Sequence, residues 1–177
     1  MAGNASRNKG MNGEREVIHL LKPIVDKVYK KHAAEIPLLE RNTLQCNQGG
    51  SDIAGLFWLA LEVKRQERLN LLDWWEQSLQ STKAGQTTVL LYRQDRGKWR
   101  AQLHGALVLN LQHVDNLSND LVLQRAVITK VDITIEDFLA WFENKVEYEL
   151  LLQIRRERVN SSKQLEQPVW PPMPPKD

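Results

Sequence analysis

The chain predicts an α/β (α+β) protein with one central mixed β-sheet flanked by helices, followed by a helical extension and an extended tail. Three observations carry this expectation. Apolar residues Val17, Ile18, Leu21, Val25 and Val28 recur at helical spacing. Nine residues without a polar side chain separate Asp52 from Glu62, a run that suits a buried pair of strands. The β-branched stretch Thr87 to Arg93 is followed by a turn at Gln94 to Gly97 and a second stretch, Lys98 to Leu103, as in an antiparallel hairpin. At 177 residues and 42% hydrophobic content, the chain is long enough for one domain with a substantial core.

Taken in order, residues 1–10 are small, polar and basic and read as a flexible basic arm. A helix should begin near Met11, with Pro23 kinking or interrupting it. Glu14 shares a face with Ile18, Leu21 and Val25, so its carboxylate sits at the lip of the packed stripe; an acid placed only to suit the helix dipole is the competing reading. Pro37 breaks any helix between 33 and 48, where Arg41 is the sole base and the polar Asn42 to Gln48 suit strand or loop. Gly49 and Gly50 permit close backbone approach or an unusual turn before the Asp52 strand. The turn into the Glu62 strand falls near Phe57 and Trp58.

Asn70, with Asp73 at the third helical position, can cap a helix from about Leu71 to Lys83, and Gly85 is a plausible stop. Trp74, Trp75, Gln77 and Leu79 lie along it. Gly105 to Leu111 and Leu121 to Ile128 are apolar enough for two more strands. Thr134 and Asp137 then form a capping signal for a long helix whose stripe runs through Ile135, Phe138, Leu139, Phe142, Val146 and Leu150, with Arg155, Arg156 and Arg158 at its end. Residues 161–177 form a proline-rich tail. The expected organisation is one domain over 11–160, with a core at about 11–104 and an extension at about 105–160.

Net charge is only +2, but residues 1–100 carry 16 Lys/Arg against 11 Asp/Glu, and residues 101–177 carry 8 against 11. The first half is therefore basic, as a polyanionic partner requires, although ordinary solvated faces give the same balance. The single cysteine, Cys46, excludes an internal disulfide and any multi-cysteine zinc site. No apolar run approaches the roughly 20 residues that span a bilayer, and the polar start lacks a signal peptide's apolar segment. The expected location is the cytoplasm, that of the host cell if the chain is phage-encoded.

The stretch Gly49 to Lys64 concentrates the chemistry. An apolar run pinned between carboxylates is costly unless the acids are paired, hydrogen-bonded or bound to a cation. Strand alternation puts Glu62 and Lys64 on one face, and Asp52 on the preceding strand can lie opposite them. Two acidic oxygen donors and an ammonium at one spot suit metal-assisted phosphodiester hydrolysis, with carboxylates for a hard divalent cation and a positive charge for the developing phosphorane. The clustered Arg93, Arg96, Lys98 and Arg100 offer phosphate contacts or simply a soluble hairpin tip.

With a helix bearing Glu14 before the strand pair, and a helix and strand after it, this order resembles the core of the PD-(D/E)XK nuclease superfamily. The resemblance extends over roughly residues 7 to 100 and is nearest to archaeal-type Holliday junction resolvases and their phage relatives. It rests on Lys9-Gly10-x-x-x-Glu14-Arg15-Glu16, Gly50-Ser51-Asp52-Ile53 and Leu61-Glu62-Val63-Lys64.

The resemblance implies a restriction-endonuclease-like core with catalytic Glu14, Asp52, Glu62 and Lys64. One or two Mg2+ ions, with Mn2+ as substitute, would be held by Asp52, Glu62, the Val63 carbonyl and Glu14. Arg7, Lys9 and Arg15 would contact DNA, joined by Arg41, Ser51 and Arg65. Gln77 resembles a residue that some exonucleases use, and a surface glutamine is the competing reading.

The implied activity is cleavage of four-way or other branched DNA by a homodimer, with no membrane partner. Two symmetric cuts need two sites related by a dyad, for which Trp74, Trp75 and the apolar face of the 135–158 helix are candidate interfaces. Other readings are a nuclease of the same fold acting on duplexes or ends, and a DNA-binding protein without catalysis.

Overall fold

In the computed structural model, which describes residues 2–43, 51–110 and 124–165, the chain opens with helix α1 (Ala2–Lys31). Side chains are described for 9–43, 51–106 and 127–161. Cys46, Gly49, Gly50, the turn at 115–120 and residues 166–177 lie outside the described residues. The residues expected to form a flexible arm are instead helical from Ala2. Pro23 does not end the helix, because it sits on the exposed side while Val17, Leu21, Val25 and Val28 are buried before and after it. Core packing on both sides offsets the one backbone hydrogen bond that proline cannot donate.

Two short strands, β1 (Glu40–Arg41) and β2 (Ile53–Ala54), pair antiparallel, Glu40 against Ala54 and Arg41 against Ile53. The main sheet has the order β3 (Leu59–Gln66), β4 (Thr87–Gln94), β5 (Arg100–Asn110), β6 (Gln124–Thr134). Strands β3 and β4 are parallel, joined by helix α2 (Leu71–Ser81), and the other pairings are antiparallel. The expected strands at 98–103 and 105–111 are one continuous strand, and β6 runs on to Thr134. Gly105 permits this: a Cβ there would meet Val131 Cγ1 of β6 at 2.9 Å.

Alternation along β3 and β4 divides the sheet into two faces. On one, Leu59, Leu61, Val63, Val89 and Leu91 pack with the buried stripe of α1 and with Phe138, Phe142, Val146 and Leu150 of helix α3 (Ile135–Leu165). On the other, Trp74 and Trp75 of α2 cover Leu90 and Tyr92. The tryptophans and the apolar face of the last helix are therefore core, which corrects their choice as a dimer interface. The extension, too, completes the main core instead of adding to a finished one.

Thr134 caps α3 as its spacing predicts, accepting the Asp137 N–H at 3.1 Å. That helix continues to Leu165, past the expected start of the tail. Asn70 opens α2 without a side-chain bond to its backbone. The turn from β2 to β3 depends on Gly55, whose φ is +114° and where a Cβ would clash with the Leu38 carbonyl oxygen. No helix among the described residues is long and apolar enough to cross a membrane.

Phe142 is fully buried, its ring centroid 6.1 Å from Trp58 and 5.8 Å from Phe138. Phe142→Ala should lower unfolding free energy by about 3–5 kcal/mol while leaving one cooperative transition in urea. An unchanged midpoint would show that α3 is not part of the main core.

Candidate functional site

Strand β3 forms the edge of the four-stranded sheet, and the segment around Asp52 is stitched to that edge. The Asp52 N–H donates to the Leu61 carbonyl at 2.8 Å, and the Val63 N–H donates to Asp52 Oδ2 at 2.6 Å. On its other side, the Asp52 carbonyl accepts the Asn42 N–H at 2.8 Å. Ser51 adds to the same seam, its hydroxyl accepting the Leu61 N–H at 2.8 Å and lying within bonding distance of the Leu61 and Ile53 carbonyls. This hydroxyl is thus engaged by backbone, although the sequence suggests a DNA contact.

Glu62 and Lys64 project from the face opposite Leu61 and Val63, in register with Leu90 and Tyr92. Glu62 is 7% exposed, and its Oε1 lies 2.6 Å from Lys64 Nζ. Asp52 is 8% exposed. Burial, and then the Glu62 charge, push its pKa up to about 7, with Glu14 adding to the rise; the Val63 N–H and Lys64 oppose it. The other three residues expected to act with Asp52 therefore all influence its carboxyl group.

They do not form a ready-made metal cage: among the described residues no group of three or more His, Cys, Asp or Glu side chains could hold an ion. Glu14 turns to Arg41, with which it forms an ion pair at the edge of the site. Compared with protein-family models, curated proteins and solved structures, the chain matches none. What the site can do chemically is read from its own geometry.

The remaining expected residues divide by surroundings. Arg15 is exposed on α1, and Gln77 is exposed on α2. Lys9 pairs with Asp95. Arg65 lies 2.7 Å from Glu16, and Arg93 lies 2.9 Å from the same carboxylate. Arg7 belongs to α1, and its side chain lies outside the described residues. Sequence reasoning missed Glu16 and Asp95 as partners of these bases. No local pattern announces such pairs, because each bridges elements far apart in the chain; only the Glu14-x-Glu16 spacing hints that two acids leave α1 on opposite flanks.

Because the Asp52 pKa is raised, the fold favours its protonated form. That stabilisation is complete below about pH 4 and is lost as pH rises through the folded value near 7. Asp52→Asn keeps an oxygen for the Val63 N–H and removes the charge. In chelator it should raise the melting temperature at pH 8 by roughly 3 °C or more and by clearly less at pH 5. Equal shifts at the two pH values would contradict a costly buried charge at this position.

Proposed function

We propose that this chain is a metal-dependent endodeoxyribonuclease of the PD-(D/E)XK kind, cutting four-way junctions and other branched DNA. The observation that carries the reading is the pair of buried carboxylates on one strand edge, with Lys64 in contact with one of them and close enough to act on the other. Two such charges side by side repel in a site with little water, and a divalent cation relieves that cost.

The donor chemistry fits Mg2+, or Mn2+ in its place. These ions take oxygen ligands and keep several waters, so they need only one or two carboxylates from the protein. Asp52 uses one oxygen for Val63 and Glu62 uses one for Lys64, leaving each a second oxygen to offer. Asp52, Glu62 and the Val63 carbonyl would hold the ion, with Glu14 nearby. When bound, it would activate water and neutralise phosphate charge.

The chain's own residues do the rest. Lys64 sets a positive charge where negative charge develops in the transition state and can orient or deprotonate the attacking water. Exposed Arg15, Arg96 and Lys98 are available to phosphates. Lys9, Arg41 and Arg65 already hold internal acids and would have to exchange those partners to meet DNA. Paired cuts across a junction call for a two-fold homodimer whose interface lies away from Trp74, Trp75 and the buried stripe of α3.

Asp52→Asn and Glu62→Gln should each lower junction cleavage in Mg2+ by about 100-fold or more. Junction affinity in chelator should hold or tighten, since repulsion of phosphates falls. Parallel cleavage time courses and gel shifts check this, with melting curves to establish folding. A folded Asp52→Asn protein cutting near the parental rate would end the assignment of the reaction to this site and with it the PD-(D/E)XK reading, and a parental protein that cuts no DNA would end the nuclease reading. Sedimentation at assay concentration should show a dimer, and a monomer that makes paired cuts would refute that part.

A further inference from the structure

Helix α1 crosses β3 at Gly13, where a Cβ would sit 3.4 Å from Arg65 Cβ, 3.5 Å from the Trp99 ring and 3.7 Å from Val63 Cγ1. The contact at Gly13 has ordinary van der Waals spacing, and the buried Val17 and Leu21 that follow set the helix's rotation in the core. The flanking acids hold the end of the helix that precedes Val17 in that rotation. Residues two apart on a helix point about 200° from one another, so Glu14 and Glu16 leave α1 on opposite flanks. Glu14 reaches Arg41 of β1.

Glu16 reaches three donors on the other side: Arg65 of β3 at 2.7 Å, Arg93 of β4 at 2.9 Å and the Trp99 indole N–H at 3.3 Å. Arg93 in turn lies over the Trp99 ring, 5.0 Å from its centroid. The guanidinium forks and the indole are thus held by one carboxylate and by each other, so that a roll of the helix would break several charge-assisted bonds at once.

We infer that Glu16 is a positioning residue: its clamp on Arg65, Arg93 and Trp99 holds the end of α1 that precedes Val17 against rolling and so keeps Glu14 on Arg41 beside Asp52. The catalytic consequence rests on the nuclease reading, whereas the mechanical coupling does not. Loss of a charge that merely stabilised the fold would lower stability alone. Loss of a rotation lock also weakens what Glu14 does.

Glu16→Gln in the full chain keeps the side chain's size and removes its charge. The first measurement is the coupling between Glu14 and Arg41, from urea unfolding of the protein, Glu14→Gln, Arg41→Gln and the double variant, each with and without Glu16→Gln. The coupling should be about threefold in the unfolding constant with Glu16 present, within the range of partly exposed pairs, and near onefold without it. An unchanged coupling overturns the inference.

The second measurement is single-turnover junction cleavage beside a gel shift in chelator. Glu16→Gln should slow cleavage about tenfold with affinity within about twofold, and should add nothing in the Glu14→Gln background. An equal further loss there would show that Glu16 acts apart from Glu14 and would overturn the inference. Asp132→Ala, which removes the acceptor that Tyr92, Arg100 and Gln102 share across the sheet, controls for lost stability and should leave cleavage near parental. If Glu16→Gln fails to fold, Trp99→Phe removes the indole donor together with part of the buried ring while leaving the Glu16 charge, and allows the same comparisons. If the parent protein cuts no DNA, the nuclease reading falls and the coupling measurement alone decides the role of Glu16.

Discussion

The hydrogen bonds that join Asp52 to β3, its N–H to the Leu61 carbonyl and its carboxylate to the Val63 N–H, close a strand edge that the sheet would otherwise leave bare. The same bonds bring a carboxyl group beside Glu62 and out of water. Structural closure and chemical strain therefore have one origin. A neutral residue could close the edge at less cost, and the price of the acid is visible in a carboxyl that resists ionisation up to about pH 7.

Much of this architecture could be read from local pattern. The period of α1, the alternation of β3, and the Thr134 start of α3 are all properties of neighbouring residues, and the structure has each of them. Asp52 and Glu62 were also legible as a buried acidic pair, because an apolar run between two carboxylates makes sense only near a core edge. What local pattern could not supply was decided by packing. Pro23 reads as an interruption until burial on both sides of it is known, and Gly105 reads as a break until Val131 is seen to occupy the space it leaves. The extension looked separable for a similar reason, since Phe138 and Phe142 share their core with α1 and β3, far earlier in the chain.

Charge was the least legible feature. The excess of bases in the first half suggested a basic surface, yet Lys9, Arg41, Arg65 and Arg93 each meet an acid from a distant element. Counting charges along a chain cannot distinguish a cation that faces solvent from one that braces a helix. Those four belong to the second kind, whereas Arg15 and the turn carrying Arg96 and Lys98 present exposed positive charge.

Gly55 shows where such a site is vulnerable. It carries no functional group, yet its left-handed backbone and its contact with the Leu38 carbonyl leave room for no other residue in the turn that leads from Asp52 into β3. A side chain there would displace the turn, and the displacement would pass along three residues to the carboxyl group whose bond to Val63 defines the edge. The chemistry of the acid therefore reaches back to a position that has none, because the bond from the Val63 N–H to Asp52 depends on a backbone turn that only glycine fits.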